Sequence, residues 1–306
     1  MTSKVFLIFA IALCRSSSVV QSKSMELINF HGANSLNRFI ATNNRIVEIP
    51  AFVFGRALHL THVDLHNNRI QVVHGLAFEY VKSTLRVINL SENALHYVNN
   101  EIFRGLTALS SLYLANNNIT YIEPNAFAES NNLTWLDLSS NGIQRLERDT
   151  FNGLINLRSL DLSNNSIKNI AINTFSSLIY LNELQLNDNQ ISSLEWLDAL
   201  DLNHLMNLNL AQNQIAVVGP HFEKMAITLK QLNLSQNIIE IVHVNAFHGL
   251  RELRNLNISY NRLSEIDGDV FQDLENLEVL DLSANDFRSP KETLKDILIQ
   301  IQNVIV

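Results

Sequence analysis

The chain has 10 histidines, 30 acidic side chains and one cysteine with which to do acid–base, metal or nucleophilic chemistry. His62 and His66 fall on the same side of an extended segment. Four residues of strand put them about 13 Å apart, too far to share one metal ion. The other histidines show no ligand spacing. Cys14 sits in an apolar N-terminal run and is expected to leave with it, so no thiol nucleophile is assigned. Asp137 and Asp161 neighbour one another in the pattern described below, as an open, solvated ladder and not an acid/base pair. Asp-Leu-Ser recurs along the chain, so no single serine stands out as a nucleophile, and there is no glycine-rich phosphate loop. No catalytic residue, cofactor or metal is assigned, and an enzyme is the remote alternative. Chemistry suited to recognition is better represented. Tyr113 and Trp135 fall at neighbouring places of the same pattern, with Val87 beside them and Asp137 and Asp161 following. Tyrosine and tryptophan are enriched among residues that dominate binding energy.

What must position these side chains is a repeat. The stretch Leu157-Arg158-Ser159-Leu160-Asp161-Leu162-Ser163-Asn164-Asn165-Ser166-Ile167 has leucine at positions one, four and six, asparagine at nine and isoleucine at eleven. Ile170, Phe175 and Leu178 follow at fourteen, nineteen and twenty-two, and Leu181 restarts the pattern. The ninth-position asparagines are Asn44, Asn68, Asn93, Asn117, Asn141, Asn165, Asn189, Asn213, Asn237, Asn261 and Asn285. Each lies 24 residues after the last, except Asn93, which lies 25 after Asn68. Self-similarity at fixed period sets architecture before any other signal. Positions four and six alternate with polar neighbours, the mark of a short strand with one buried face. One strand per repeat implies a parallel sheet. No repeat can bury its leucines alone, so neighbours must stack.

The asparagine follows from hydrogen bonding. Where the chain turns inward after each strand, its buried N–H and C=O groups need partners. A short side chain with two donors and an acceptor supplies them for its own coil and the next. The position-nineteen phenylalanines, Phe54, Phe78, Phe103, Phe127, Phe151, Phe175, Phe247 and Phe271, are expected to form an internal column. Two repeats break it: one has Ala199 there, the other has Phe222 one place early. The outer surface is therefore expected to be irregular over 194–228.

These spacings resemble the leucine-rich repeat family, in the 24-residue form of animal extracellular proteins. The resemblance implies an α/β solenoid, a horseshoe of about 11 repeats. It implies a parallel concave β-sheet and an irregular or short-helical convex side. It also implies use as a recognition scaffold, in adhesion, matrix organisation, signalling or innate immunity. Most secreted relatives carry cysteine-rich caps; here only Cys14 is present.

Residues 1–22, with Lys4 ahead of an apolar run and small polar residues after it, have the layout of a secretory signal peptide. A bacterial lipoprotein box is the rival reading, but Leu13 is a poor residue before a modified cysteine. Residues 23–35 are expected to cap the front of the solenoid, which runs over 36–289. Residues 290–306 place Leu294, Ile297, Leu298, Ile301 and Ile305 near helical spacing, predicting a C-terminal capping helix. Ile299 and Ile301 also alternate with glutamines, leaving a strand open, and a truncated product of a longer gene is a further possibility. No membrane span is expected. The 22 basic and 30 acidic residues give −8, or about −10 without Lys4 and Arg15. An acidic chain without a basic stripe is a poor partner for nucleic acid or anionic membrane.

The reading is thus a secreted protein that binds a protein or glycoprotein ligand through Val87, Tyr113, Trp135, Asp137 and Asp161. A homodimer through the concave face is plausible. The alternatives are an anchor-less receptor ectodomain acting as co-receptor or decoy, and an intracellular scaffold whose leader is misread. Six sequons, at Asn89, Asn118, Asn132, Asn164, Asn233 and Asn257, fit an exported chain. Glycans on Asn89, Asn233 and Asn257, all at position five, would shrink the usable face to repeats four to seven.

Overall fold

The computed structural model describes residues 35–55, 57–198, 202–287 and 304–305. The expected signal peptide, nearly all of the N-terminal cap and most of the C-terminal cap lie outside them. The chain divides into two compact units, Met1–Ile143 with Glu147–Leu157, and Gln144–Leu146 with Arg158–Val306.

The first unit carries five parallel strands, Arg38–Ile40, His62–Asp64, Val87–Asn89, Ser111–Tyr113 and Trp135–Asp137, each paired with the next. The second carries Ser159–Asp161, Glu183–Gln185, Asn207–Asn209, Gln231–Asn233, Asn255–Asn257 and Val279–Asp281 in the same order and sense. Val304–Ile305 pair parallel to Leu280–Asp281. At those two residues the chain is extended; residues 294–301, on which the helix and strand readings mainly rest, lie outside the described residues. A continued sheet satisfies edge N–H and C=O groups that a helix would leave open. Within each unit the expected solenoid of parallel strands is present.

The strands form because a buried apolar residue sits at the centre of each: Val63, Ile88, Leu112, Leu136, Leu160 and Leu184 are all fully buried. Each such side chain contributes about 1.5–3 kcal/mol of transfer free energy. Shorter pairs form a second row, such as Tyr97–Val98 with Tyr121–Ile122 and Val217–Val218 with Ile241–Val242. Beyond them the chain runs through turns. Among the described residues there is no α-helix, only 3₁₀ segments such as Glu195–Leu197, Glu223–Met225 and Gly268–Phe271. A dozen residues tied down at fourteen, nineteen and twenty-two leave no length over which a helix could propagate.

The ladder asparagines knit coil to coil. Asn189 Nδ2 donates to Leu186 O and Asn187 O of its own coil (3.1 and 3.2 Å) and to Leu162 O of the preceding one (3.0 Å). Its Oδ1 accepts from Ile167 N at 2.9 Å. Asn68, Asn93, Asn117, Asn213, Asn237 and Asn261 repeat the reach to the preceding coil's carbonyl. So do Asn141 and Asn285. Asn44 and Asn165 donate within their own coils. The residue just before each of these asparagines has positive φ, between +52° and +58°, whether it is Asn, Asp, Glu, Ser, Gln, Tyr or Ala. The turn imposes that conformation on every coil, and the ladder bonds hold it.

The aromatic column is more complete than the phenylalanines predict. In the first unit Phe54 stacks on Phe78 (centroids 5.7 Å), and Phe127 lies between Phe103 and Phe151 (6.0 and 6.5 Å). In the second, Trp196 packs edge-on against Phe175 at 5.4 Å and is buried. It fills the place for which no phenylalanine was found. Its indole N–H, which needs a partner once buried, donates to Ser193 O at 3.1 Å. Phe222, one place early, is fully buried and stacks on Phe247 at 6.2 Å. The expected break is therefore corrected. The outer chain adjusts through the 3₁₀ segments at 195–197 and 223–225, and the interior stays filled.

Candidate functional site

Val87, Tyr113, Trp135 and Asp137 project from one face of the first unit's sheet, because each flanks a buried strand centre. The register sets Val87 beside Ser111 and Ser111 beside Trp135. It sets Asn89 beside Tyr113 and Tyr113 beside Asp137. Tyr113 and Trp135 are thus diagonal neighbours, and the small Ser111 stands between Val87 and Trp135 in the register. Trp135 is 40% exposed, while Tyr113 is half-buried. Asp161 belongs to the second unit, where its neighbour is Gln185.

A signal the sequence reading passed over lies at position five. Asp137 Oδ1 accepts from Ser139 N (3.0 Å) and Ser139 Oγ (2.7 Å), and Asp161 Oδ1 accepts from Ser163 N and Oγ (2.9 and 2.6 Å). Asn89, Asn233, Asn257 and Asp281 hold the N–H two residues on in the same way. Asp or Asn bonding its own backbone two residues later is a turn device, and Asp-x-Ser and Asn-x-Ser spell it. One oxygen of each of these carboxylates therefore serves the turn.

His62 and His66 have separate settings. His66 Nδ1 lies 3.0 Å from Asp64 Oδ1, and His62 Nδ1 lies 2.7 Å from Thr61 Oγ1. Burial, then the charges of Arg38 and Arg86, hold the His62 imidazole below its ordinary pKa. The folded chain thus disfavours the imidazolium. The stability gained is complete above the ordinary histidine value of about 6.5 and is lost as pH falls through the folded value. His62→Gln is expected to flatten the stability–pH profile below about pH 6.5. Denaturant midpoints measured across that range check this; an unchanged slope would assign the titration to another group.

A cavity of ≈390 Å³ in the second unit is lined by Pro220, Glu223, Asn245 and His248. His248 Nδ1 lies 2.6 Å from Asp273 Oδ2, which also accepts from Gly249 N at 2.9 Å. The carboxylate orients the imidazole, and none of these four lining residues carries a hydroxyl or thiol. Among the described residues no helix is long and apolar enough to cross a membrane.

Of the sequon asparagines, Asn118, Asn132 and Asn164 are exposed; Asn89, Asn233 and Asn257 are half-buried on the strand face. Asn132 Nδ2 donates to Thr107 O at 2.8 Å.

The family model described as leucine rich repeat matches residues 83–143, 131–191, 155–215, 203–263 and 227–287. No curated protein sequence matches the chain. Solved structures do. One is the octameric complex of Latrophilin 3 (Lec, Olf), Unc5D (Ig, Ig2, TSP1) and FLRT2 (LRR), at 25% identity and TM-score 0.73, covering 88% of this chain and 83% of that one. The Toll–Spatzle complex of Drosophila matches at 23% identity and TM-score 0.75, over 84% of this chain and 36% of that one. The TLR13–ssRNA13 complex matches at 26% identity and TM-score 0.63, over 90% of this chain and 47% of that one.

Proposed function

Because this chain belongs to the leucine-rich repeat family, we propose that it is a secreted recognition protein. Its strand face would grip a protein or glycoprotein partner around Val87, Tyr113, Trp135 and Asp137 of the first unit. The observation that carries this reading is Trp135. A large aromatic, 40% exposed, stands on a paired strand whose backbone is already fixed, beside a small serine and a half-buried tyrosine. A pre-formed surface spends little free energy on ordering when it binds, and a tryptophan is the kind of side chain that dominates binding energy. The structures it resembles include the Toll–Spatzle complex and one of Latrophilin 3, Unc5D and FLRT2, which agree with a protein ligand. The TLR13–ssRNA13 complex contains RNA; a formal charge of −8 argues against that ligand here, since affinity for phosphate backbones comes from clustered cations.

Proximity labelling with the exported chain as bait identifies the partner, and binding is then measured with Trp135→Ala and Tyr113→Ala. Each is expected to weaken affinity by about thirtyfold, the ~2 kcal/mol scale of a central anchor. If both leave affinity unchanged, the face is not the site. Export itself is tested by recovering the chain from medium with its leader removed, and a homodimer by sedimentation of that material. Glycosylation of Asn118, Asn132 and Asn164 is part of the proposal. A glycan on Asn89 would stand in register beside Tyr113 and block the face, so mass spectrometry of Asn89 after glycosidase treatment bears directly on it.

A further inference from the structure

We propose that Asn152–Gly153 is a built-in deamidation site, which the fold leaves reactive while it protects the chain's other Asn-Gly pair, Asn141–Gly142. In the reaction the Gly153 nitrogen gives up its proton to solvent base and attacks the side-chain carbonyl carbon of Asn152. The new C–N bond closes a five-membered imide, the bond to the side-chain nitrogen breaks, and ammonia leaves. Water then opens either imide carbonyl, giving aspartate or isoaspartate. No electrons are transferred, and water is the only co-reactant. Asn-Gly is the dipeptide in which the attacking nitrogen is least shielded, because glycine carries no side chain.

The two pairs differ in how the fold holds their reacting groups. Asn141 Nδ2 donates to Leu114 O, Leu138 O and Ser139 O, each at 3.0 Å, and its Oδ1 accepts from Ile119 N at 3.0 Å. The nucleophile is held as well, since Gly142 N donates to Ile119 O at 2.8 Å. Attack there requires the ladder to open first, and reaction from an opened state is slowed by the free energy of opening. Asn152 lies instead on an exposed outer turn, its Nδ2 donating to Asn125 Oδ1 at 2.8 Å in an exposed contact. The Gly153 N–H donates to no carbonyl among the described residues.

The product would not be silent. Deamidation replaces the Nδ2 donor with a carboxylate oxygen facing Asn125 Oδ1. It also adds a negative charge near Asp149, whose carbonyl accepts from both Asn125 N and Asn152 N. Isoaspartate further inserts a backbone carbon immediately before the glycine that packs against the Ala128 main chain. The outer turn of the first unit is thereby loosened with age.

The experiment uses the full chain, incubated under mildly alkaline conditions both folded and unfolded in denaturant, with peptide mapping of the one-dalton mass gain at each pair. An isoaspartyl methyltransferase reports the isomer, and Asn152→Gln identifies its source. In the folded chain Asn152 is expected to react at least about tenfold faster than Asn141, and the two rates are expected to converge on unfolding. The proposal is overturned if folded Asn141 keeps pace with Asn152. It is equally overturned if folded Asn152 stays intact over a period in which the unfolded chain reacts.

Discussion

Asn189→Ala is expected to lower stability by about 3–5 kcal/mol, the severe end of single substitutions, which breaking a buried hydrogen-bond network can reach. The side chain is 8% exposed and joins two coils through four bonds. Truncation leaves the Ile167 N–H without its acceptor and takes a donor from Leu162, Leu186 and Asn187. Each buried group left unpaired costs about 1–3 kcal/mol, although small relaxations and entering water recover part of it. Asn189→Asp separates donor chemistry from volume. It keeps an oxygen for Ile167 N but turns the donating nitrogen into an oxygen aimed at three carbonyl oxygens. It is therefore expected to lose at least as much as the alanine variant at neutral pH. Denaturant unfolding of both variants checks this. An aspartate variant as stable as the parent would show that filling space, not donating protons, is what the ladder requires.

How far such features could be read in advance depends on whether the period enforces them. The leucines and asparagines were legible because every coil solves the same packing and hydrogen-bonding problem with the same residue at the same place. Trp196 was missed because it solves the aromatic-column problem from three positions earlier than Ala199, by moving backbone instead of matching the pattern. Only its being the one large ring in Leu194-Glu195-Trp196-Leu197 could have flagged it. The position-five turn bonds were visible in principle as Asp-x-Ser and Asn-x-Ser, but that signal was read as surface chemistry and sequons. The His221–Asp198 pair, at 2.7 Å, and the His248–Asp273 pair lie one residue to either side of the 24-residue period, so repeat logic does not bring them together. The strand-face residues are legible as exposed and no further, since folding requires only that they leave the buried leucine undisturbed. What Trp135 touches is set by a partner, and no internal packing rule writes a partner into the repeat.

Gly153→Ala is expected to be the most damaging single-methyl change in the outer turns. Gly153 has φ of +85°, and an added Cβ would lie 2.3 Å from Ala128 O and 2.7 Å from Ala128 C and Cα. These are main-chain atoms of the adjacent coil, so no rotamer change relieves the overlap. Asn131, with its amide nitrogen turned toward them, donates to Gly153 O at 3.0 Å and Ala128 O at 3.1 Å, tying both strips of backbone together. Gly249 provides the control. It has nearly the same backbone, φ +76°, but a Cβ there would meet only the Ala226 Cβ, at 3.4 Å. Gly249→Ala should therefore show the left-handed penalty alone, about 1–2 kcal/mol. Gly153→Ala adds a forced displacement of one coil from the next and should lose about 3–5 kcal/mol, the range of severe overpacking and strain. Gly105 falls between them, because its φ is +74° but the nearest atom, at 2.9 Å, is Cδ of the flexible Lys82 side chain. The ordering Gly153, Gly105, Gly249 in midpoint loss follows from what each new methyl meets and not from conformation, which the three share. Should Gly153→Ala and Gly249→Ala unfold at the same denaturant concentration, coil-to-coil contact at the outer turns would contribute nothing, and glycine would be needed there only for its dihedral freedom.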